Sequence, residues 1–289
     1  MIKKLPVEIE KKIDSMEIIH TGLTVVNDDF QDAYVIKLNI HTFEYTQGIG
    51  YRKPRFRDDG YADNLTQALP ILEKYQVPAF VFVTTGFVSR THAPMERIIS
   101  RFVQSESSEE DLAHHIFKNR SAGETPAVFY DHLRKFLKPM GIRDRLRWQS
   151  RLMTILDLKV EEFVGDMLTP EQVAELDRHP LIQVGAHSVS HALLTAANDD
   201  ELNAELVWSR LSLEDWLNRR VDIMAYPYGG TNFRVQKAAA LSGYRRAYRT
   251  EPPSGRRTVF TKSNPYAIPR YDLGRAVDTV LNGRIGELV

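Results

Sequence analysis

The chain contains no cysteine among its 289 residues. Disulfide bonds, thiolate metal ligands and a cysteine nucleophile are therefore excluded. Long apolar runs are missing as well, because no stretch approaches the roughly 18 consecutive apolar residues of a membrane-spanning helix. Residues 1–8 include basic side chains, but no apolar segment of the kind found in signal peptides follows them. We therefore expect a cytoplasmic protein without a membrane span.

An excess of charge of either sign is also absent, since 38 Lys and Arg residues balance 38 Asp and Glu residues. A chain without net charge has no overall electric field that would attract nucleic acid or an anionic membrane. Its 43% hydrophobic and 26% charged residues are ordinary for a globular protein with a sizeable core. Because α/β barrels of this length commonly form one domain, we predict a single domain over residues 1–289. The oligomeric state cannot be predicted from these features.

Two histidines follow a short apolar segment that predicts a buried strand at 181–184, ended by Gly185. His187 and His191 are four residues apart with only small side chains between them. On a helical turn or in a tight loop, two imidazoles at this spacing can bind one ion. Such a pair also arises for packing reasons, and it needs a carboxylate from elsewhere to complete a metal site. The acidic pair at residues 58–59 is the candidate source.

The order of the predicted elements is typical of a parallel α/β protein. An alternating segment at 34–43 predicts a strand, 64–75 predicts a helix, and the apolar run at 79–83 predicts a buried strand. Later in the chain, a predicted strand at 221–226 precedes a predicted helix at 233–241. In this architecture, functional sites form at the carboxyl ends of the strands.

Residues 92–166 have a helical and more polar pattern that predicts no strand, so we interpret them as a helical insertion. The next helix should begin at Thr169, because Thr169 can cap it, Pro170 suits its first position and Gln172 suits its third. The insertion would then act as a lid or a packing subdomain.

Three segments together resemble the motifs of the polysaccharide deacetylase family, carbohydrate esterase family 4. They are Asp-Asp-Gly-Tyr-Ala-Asp-Asn at 58–64, His-Ser-Val-Ser-His at 187–191, and Ala-Tyr-Pro-Tyr-Gly at 225–229. Each motif alone is weak, but the combination is specific, and the resemblance extends from about residue 56 to 273. It implies an α/β fold, a distorted (β/α) barrel with fewer than eight strands.

The resemblance also implies a set of roles for individual residues. Asp59, His187 and His191 would hold a divalent metal, most simply Zn²⁺, although Co, Ni or Fe could occupy the same ligands. Asp58 would be the general base that takes a proton from the attacking water. The backbone N–H of Tyr228 would stabilise the oxyanion, whereas packing of the loop is an equally open role for its side chain. The implied reaction removes N-acetyl groups from the amino sugars of a surface polysaccharide or related glycan.

The chain departs from the family pattern in three places. Arg-Phe-Arg at 55–57 stands where the family has an apolar strand, so the first strand would be 34–43, and Glu44 would be an exposed loop acid or, less simply, a reserve ligand or base. No histidine follows His191, so the general acid would be Asp58 or an unidentified group. The third motif lacks the arginine that orients the base in many members. Arg270 could pair with a site carboxylate, but we favour a structural ion pair as its role.

Two alternative functions remain open at this point. A catalytically impaired relative would bind a glycan or a biosynthetic partner, and would bind metal or glycan without turnover. A metal-independent C–N hydrolase acting on a small cyclic amide would keep its activity in the presence of a chelator. The complete Asp-His-His set argues against the second alternative.

Overall fold

The computed structural model describes residues 23–25, 36–38, 58–75, 79–104, 125–250 and 264–272, and every structural statement below concerns these residues. Several predictions lie outside them. They include residues 34–35 and 39–43 of the predicted strand, the alternative ligand Glu44, the segment 55–57, and residues 105–124 of the predicted helical insertion.

Within the described residues, seven strands form the sheet. They are β1 (Leu23–Val25), β2 (Ile36–Leu38), β3 (Ala79–Val83), β4 (Ile182–Ala186), β5 (Ile223–Ala225), β6 (Arg246–Thr250) and β7 (Ile268–Asp272). Their pairings close a ring in the order β1-β2-β7-β6-β5-β4-β3. All neighbouring strands are parallel except β1, which runs antiparallel to both β2 and β3. This confirms the predicted distorted barrel with fewer than eight strands.

Eight α-helices accompany the strands in the described residues. They are α1 (Leu69–Tyr75), α2 (Thr85–Val88), α3 (Met95–Gln104), α4 (Pro126–Leu137), α5 (Ile142–Ile155), α6 (Pro170–Arg178), α7 (Asp199–Leu217) and α8 (Phe233–Leu241). A π-helical turn, Asn64–Ala68, precedes α1, and 3₁₀ turns lie at Val160–Asp166, Leu194–Ala196 and Pro227–Gly229. Within the part of the chain that the structure describes, each helix is too short or too polar to cross a lipid bilayer.

The helix and strand ends follow from local chemistry. The strand β3 is buried along its whole length, as expected for a parallel strand that is covered on both faces. The helix α6 begins as predicted, because Thr169 accepts a hydrogen bond from Gln172 N–H while the Gln172 side chain accepts one from Thr169 N–H. Because β2 to β7 are parallel, the loops that directly follow these strands lie at the same end of the barrel.

Gly185 does not end the strand, contrary to the sequence prediction, because β4 continues to Ala186. A Cβ atom on Gly185 would lie 2.7 Å from Ile223 Cγ1 and 2.8 Å from a ring carbon of Phe82. Glycine is required here because the side chains that fill the barrel leave no room for a methyl group.

Apolar packing falls into separate clusters. Phe80, Phe82, Ile223, Ala225 and Tyr248 fill the barrel. A larger cluster lies between the strands and the surrounding helices, and it includes Val81, Val184, Leu176, Leu206 and Ile142. A third cluster lies in the helical segment, defined here as residues 95–166, and includes Ile98, Phe102, Phe129, Leu133 and Leu152. The described part of the helical segment contains no strand.

Candidate active site

The two adjacent aspartates lie in a tight turn that is anchored on two sides. Gly60 has φ +92° and donates its N–H to Asp58 O, which closes the turn. On one side Asp59 O accepts from Thr84 N–H at 3.3 Å, directly after β3. On the other side Gly60 O accepts from Leu168 N–H at 2.9 Å. Both carboxylates are therefore held, buried, at the carboxyl end of the barrel.

The histidine pair lies in a tight loop directly after β4, one of the two predicted alternatives. His187 N–H donates to Val83 O at 2.9 Å, which ties the start of the loop to the neighbouring strand. Ser188 and His191 then adopt left-handed conformations with φ 66° and 53°, and His191 N–H donates to Ser188 Oγ at 3.1 Å. This folded loop brings the centroids of the two imidazole rings to 5.0 Å.

The loop and the turn bring the three predicted metal ligands together. His191 Nε2 lies 3.2 Å and His187 Nε2 lies 3.7 Å from the same carboxylate oxygen, Asp59 Oδ1. One ligand atom of each residue lies within 4.8 Å of the other two, and all three residues are buried. Among the described residues, no further histidine or carboxylate ligand joins this group.

The protonation of His187 fits a cation between these residues. Its Nδ1 lies 2.7 Å from Ala225 O, and because a carbonyl oxygen only accepts, Nδ1 must carry the hydrogen. Burial, reinforced by His191, lowers the pKa of His187 to about 3, although Asp58 and Asp59 act in the opposite direction. In the neutral ring, the lone pair is on Nε2 and faces the carboxylate of Asp59. Two facing acceptors are satisfied when a metal ion lies between them.

Asp58 has a buried partner that the sequence analysis did not assign to it. Arg270 Nη1 on β7 donates to Asp58 Oδ2 at 2.8 Å, and both side chains are almost fully buried. The guanidinium carbon of Arg270 also lies 5.2 Å from the ring centroid of Phe82. Of the two roles considered for Arg270, the structure therefore favours the pairing with a site carboxylate over a purely structural ion pair. Arg270 lies on β7, a different strand from the one that precedes the third motif.

Tyr228 adopts a left-handed conformation with φ 58° in the loop after β5. Its ring packs against His191 with a centroid distance of 4.6 Å. Its hydroxyl donates to Glu96 Oε1 at 2.7 Å and accepts from Arg145 Nη2 at 3.4 Å. Burial, followed by the charge of Glu96, raises the pKa of this phenol. The side chain therefore links the site to the helical segment, and the predicted role of its backbone N–H stays a prediction.

Three buried charged residues near the site escaped the sequence analysis. Glu96 on α3, Arg145 on α5 and Glu205 on α7 are 5%, 1% and 6% exposed. Each lies in an amphipathic helix, where a charged residue ordinarily predicts the solvent-facing side. Helical spacing could have identified two of them, because Arg145 lies on the same face as Ile142 and Leu152, and Glu205 lies on the same face as Leu202 and Ser209.

Comparisons with known proteins agree with this arrangement. A sequence model of the polysaccharide deacetylase family matches residues 57–247, more than half of the chain. Protein YxkH of Bacillus subtilis (strain 168) is 29% identical over 90 residues, which span 31% of this chain and 32% of YxkH.

Solved structures are more distant. The Streptococcus pyogenes deacetylase PplD, solved in complex with acetate, is 18% identical with a TM-score of 0.44, over 74% of this chain and 61% of that chain. IcaB from Ammonifex degensii is 14% identical with a TM-score of 0.44, over 81% of this chain and 71% of that chain. The matched part of this chain thus spans about a third of YxkH and less than two thirds of PplD.

Proposed function

The chain belongs to the polysaccharide deacetylase family, and from that premise we propose that it is a metal-dependent hydrolase of N-acetylated glycans. It would remove N-acetyl groups from the amino sugars of a surface polysaccharide or a related glycan. The observation that carries this proposal is the buried convergence of Asp59, His187 and His191 beside the ion pair of Asp58 and Arg270.

Asp59, His187 and His191 would hold the divalent cation. One carboxylate and two neutral imidazoles form a ligand set that suits Zn²⁺, and Co, Ni or Fe accept the same donors. When bound, such a cation polarises the acetyl carbonyl and lowers the pKa of water. The hydrogen bond from His187 Nδ1 to Ala225 O orients the imidazole toward this role.

Asp58 would carry the proton through the reaction. Arg270 holds one oxygen of its carboxylate and favours the ionised form, which accepts a proton from the attacking water. The water oxygen forms a bond to the acetyl carbon, the carbon–nitrogen bond breaks, and acetate and a free amine result. The amine nitrogen would then receive its proton back from Asp58, because no described histidine besides the two ligands belongs to the cluster.

Tyr228 would contribute its backbone N–H to the oxyanion that forms on the acetyl carbonyl. The left-handed conformation at this position supports a special demand on the backbone, since a bulky residue adopts it only where the surroundings impose it.

The test combines metal content with acetate release from N-acetylated oligosaccharides for the wild type, Asp59→Ala and His187→Ala. The matched control is His179→Ala, because His179 pairs with Glu73 away from the cluster. We expect about one metal ion per chain and chelator-sensitive acetate release in the wild type and the control. Both should be lost in Asp59→Ala and His187→Ala.

The other outcomes separate the alternatives. Metal without acetate release would favour the catalytically impaired, glycan-binding relative. Hydrolysis of a small cyclic amide that survives chelation would favour the metal-independent C–N hydrolase. Full metal content in Asp59→Ala would mean that another carboxylate, such as Glu44, completes the ligand set. A wild type without metal would contradict the proposed mechanism.

A further inference from the structure

Left-handed backbone is concentrated at the candidate site. Six described residues other than glycine have positive φ, and three of them, Ser188, His191 and Tyr228, lie in the two loops that form the site. Residues with a side chain disfavour this region, so the surroundings must hold them there. Two buried charged side chains, Glu205 and Arg145, bind the loop that carries the two imidazoles.

Glu205 on α7 binds the centre of this loop with both of its carboxylate oxygens. Oε2 accepts from Val189 N–H at 2.8 Å and from Ser190 N–H at 2.9 Å. Oε1 accepts from the Ser190 hydroxyl at 2.5 Å. A carboxylate that accepts from two consecutive backbone N–H groups fixes the orientation of both peptides. The loop therefore cannot unfold without breaking three hydrogen bonds to one charged group.

Arg145 on α5 binds the same loop with a positive charge, whereas Glu205 binds it with a negative charge. Its Nη1 donates to Ser190 O at 3.1 Å, and its Nη2 donates to the Tyr228 hydroxyl at 3.4 Å. Ser190 is thus held at its N–H by an anion and at its C=O by a cation. Since Tyr228 packs against the ring of His191, the guanidinium also braces that imidazole.

These two charges have no ionic partner of their own in the described residues. Neither Glu205 nor Arg145 forms an ion pair there, although both are at least nine-tenths buried. Burying an unpaired charge is costly, so hydrogen bonds to the charged groups must offset the lost hydration. Here nearly all of those bonds go to the loop and to Tyr228. The two buried charged side chains therefore serve mainly to hold this one loop.

We propose that Glu205 and Arg145 are positioning residues that hold the loop from His187 to His191 in the geometry that binds the metal. The inference rests on the proposed function, because it assumes that the two histidines are metal ligands. Neither residue touches the ligand atoms. Both act through the backbone of Ser190 and, for Arg145, through Tyr228. A merely structural role would instead predict lower stability with unchanged affinity for the metal.

The test is a titration of metal-free protein with Co²⁺, followed by its visible absorption, which reports both affinity and ligand geometry. The main variant is Glu205→Gln, and the matched control is Glu214→Gln. Glu214 lies on the same helix, but pairs with Arg210 and accepts from Val221 N–H instead. Substitutions that disturb the support of a ligand typically weaken metal affinity by about 10- to 100-fold. We expect this loss, with an altered absorption spectrum, in Glu205→Gln alone.

A milder variant covers the case in which Glu205→Gln does not fold. Ser190→Ala removes one of the three hydrogen bonds and keeps both backbone N–H groups, so we expect Co²⁺ affinity to fall by about 3- to 10-fold. The melting temperature of each metal-free variant is measured alongside. The inference would be wrong if Ser190→Ala bound Co²⁺ with the affinity of the wild type. It would also be wrong if Glu205→Gln and Glu214→Gln had equal affinities. Neither result would contradict the proposed function. A wild type that does not bind Co²⁺ would contradict the proposed function itself.

Discussion

The barrel and the helical segment contribute to the candidate site in different ways. The barrel supplies the candidate ligands and the partner of the candidate base, since His187 directly follows β4, Arg270 lies on β7, and Asp59 O accepts from Thr84 N–H directly after β3. The helical segment supplies the side chains of Glu96 and Arg145, which reach Tyr228 and the histidine loop from outside. The contribution of the barrel depends mainly on backbone hydrogen bonds between strands. The contribution of the helical segment depends on individual charged side chains.

The helix α5 connects these two regions. At its first turn, Ile142 belongs to the apolar cluster around the barrel, whereas Leu152 belongs to the cluster of the helical segment. Arg145 lies between them on the same helix and reaches the site. Apolar packing thus fixes the position of α5, and this position in turn places the Arg145 side chain against the site. Substitutions in either region can test this division.

The largest expected effect concerns the barrel side of the comparison. Asp58→Asn keeps the shape of the side chain but removes the proposed base, so kcat should fall by about 10²- to 10⁴-fold. Metal content should remain that of the wild type, because Asp58 is not among the proposed ligands. The measurement is acetate release at saturating substrate. Asp144→Asn, the same change on the outer surface of α5, serves as the control. Equal activity in both variants would contradict the assignment of the base.

An intermediate effect should separate the two apolar clusters. Leu133→Ala in the helical segment and Leu176→Ala beside the barrel each remove a fully buried side chain. Each should lower the free energy of unfolding by about 2–5 kcal/mol. Because the clusters are distinct, hydrogen exchange should rise in α3, α4 and α5 for Leu133→Ala, and in β3 and β4 for Leu176→Ala. A uniform rise across the protein in both variants would show that the regions unfold together.

The smallest expected effect concerns the contact between the regions. Tyr228→Phe keeps the ring against His191 but removes the hydroxyl between Glu96 and Arg145, at a cost of about 1–3 kcal/mol in stability. Tyr226→Phe is the matched control, since its hydroxyl donates to Tyr266 O on the barrel. We expect similar melting temperatures for the two variants. Only Tyr228→Phe should also lower kcat, by a factor of about 2–10.

Much of the fold could be predicted because local rules governed it. The buried run at 79–83 is β3, and the cap at Thr169 begins α6 as expected. The prediction that Gly185 ends the strand was wrong. Glycine is needed there within the strand because it leaves room for Phe82 and Ile223. A single sequence does not distinguish a glycine needed for close packing from one that ends a strand.

The candidate site, too, could be predicted in part, where short motifs carry the signal. His187, His191 and Asp59 could be singled out because their spacing and chemistry are visible in short motifs, and the structure brings them together. A site carboxylate could be named as one possible partner of Arg270, but the pair could not be predicted with certainty. Asp58 and Arg270 are 212 positions apart, and only the closure of the barrel brings β7 beside the turn. Glu205 was missed although its spacing from Leu202 and Ser209 places it on the buried face of α7, because a charged residue is ordinarily expected on the exposed face.

The pairing of Asp58 with Arg270 also has a consequence for the order of events during synthesis. The ribosome adds about 5–20 residues per second, so the 212 residues between the two side chains take roughly 10–40 s to appear. Throughout that interval, the acidic turn exists without its guanidinium partner. In a growing chain, the three proposed ligands are all present once His191 has emerged, whereas Asp58 gains its counter-charge only when β7 docks. Completion of the barrel is therefore the step at which the buried pair of Asp58 and Arg270 forms.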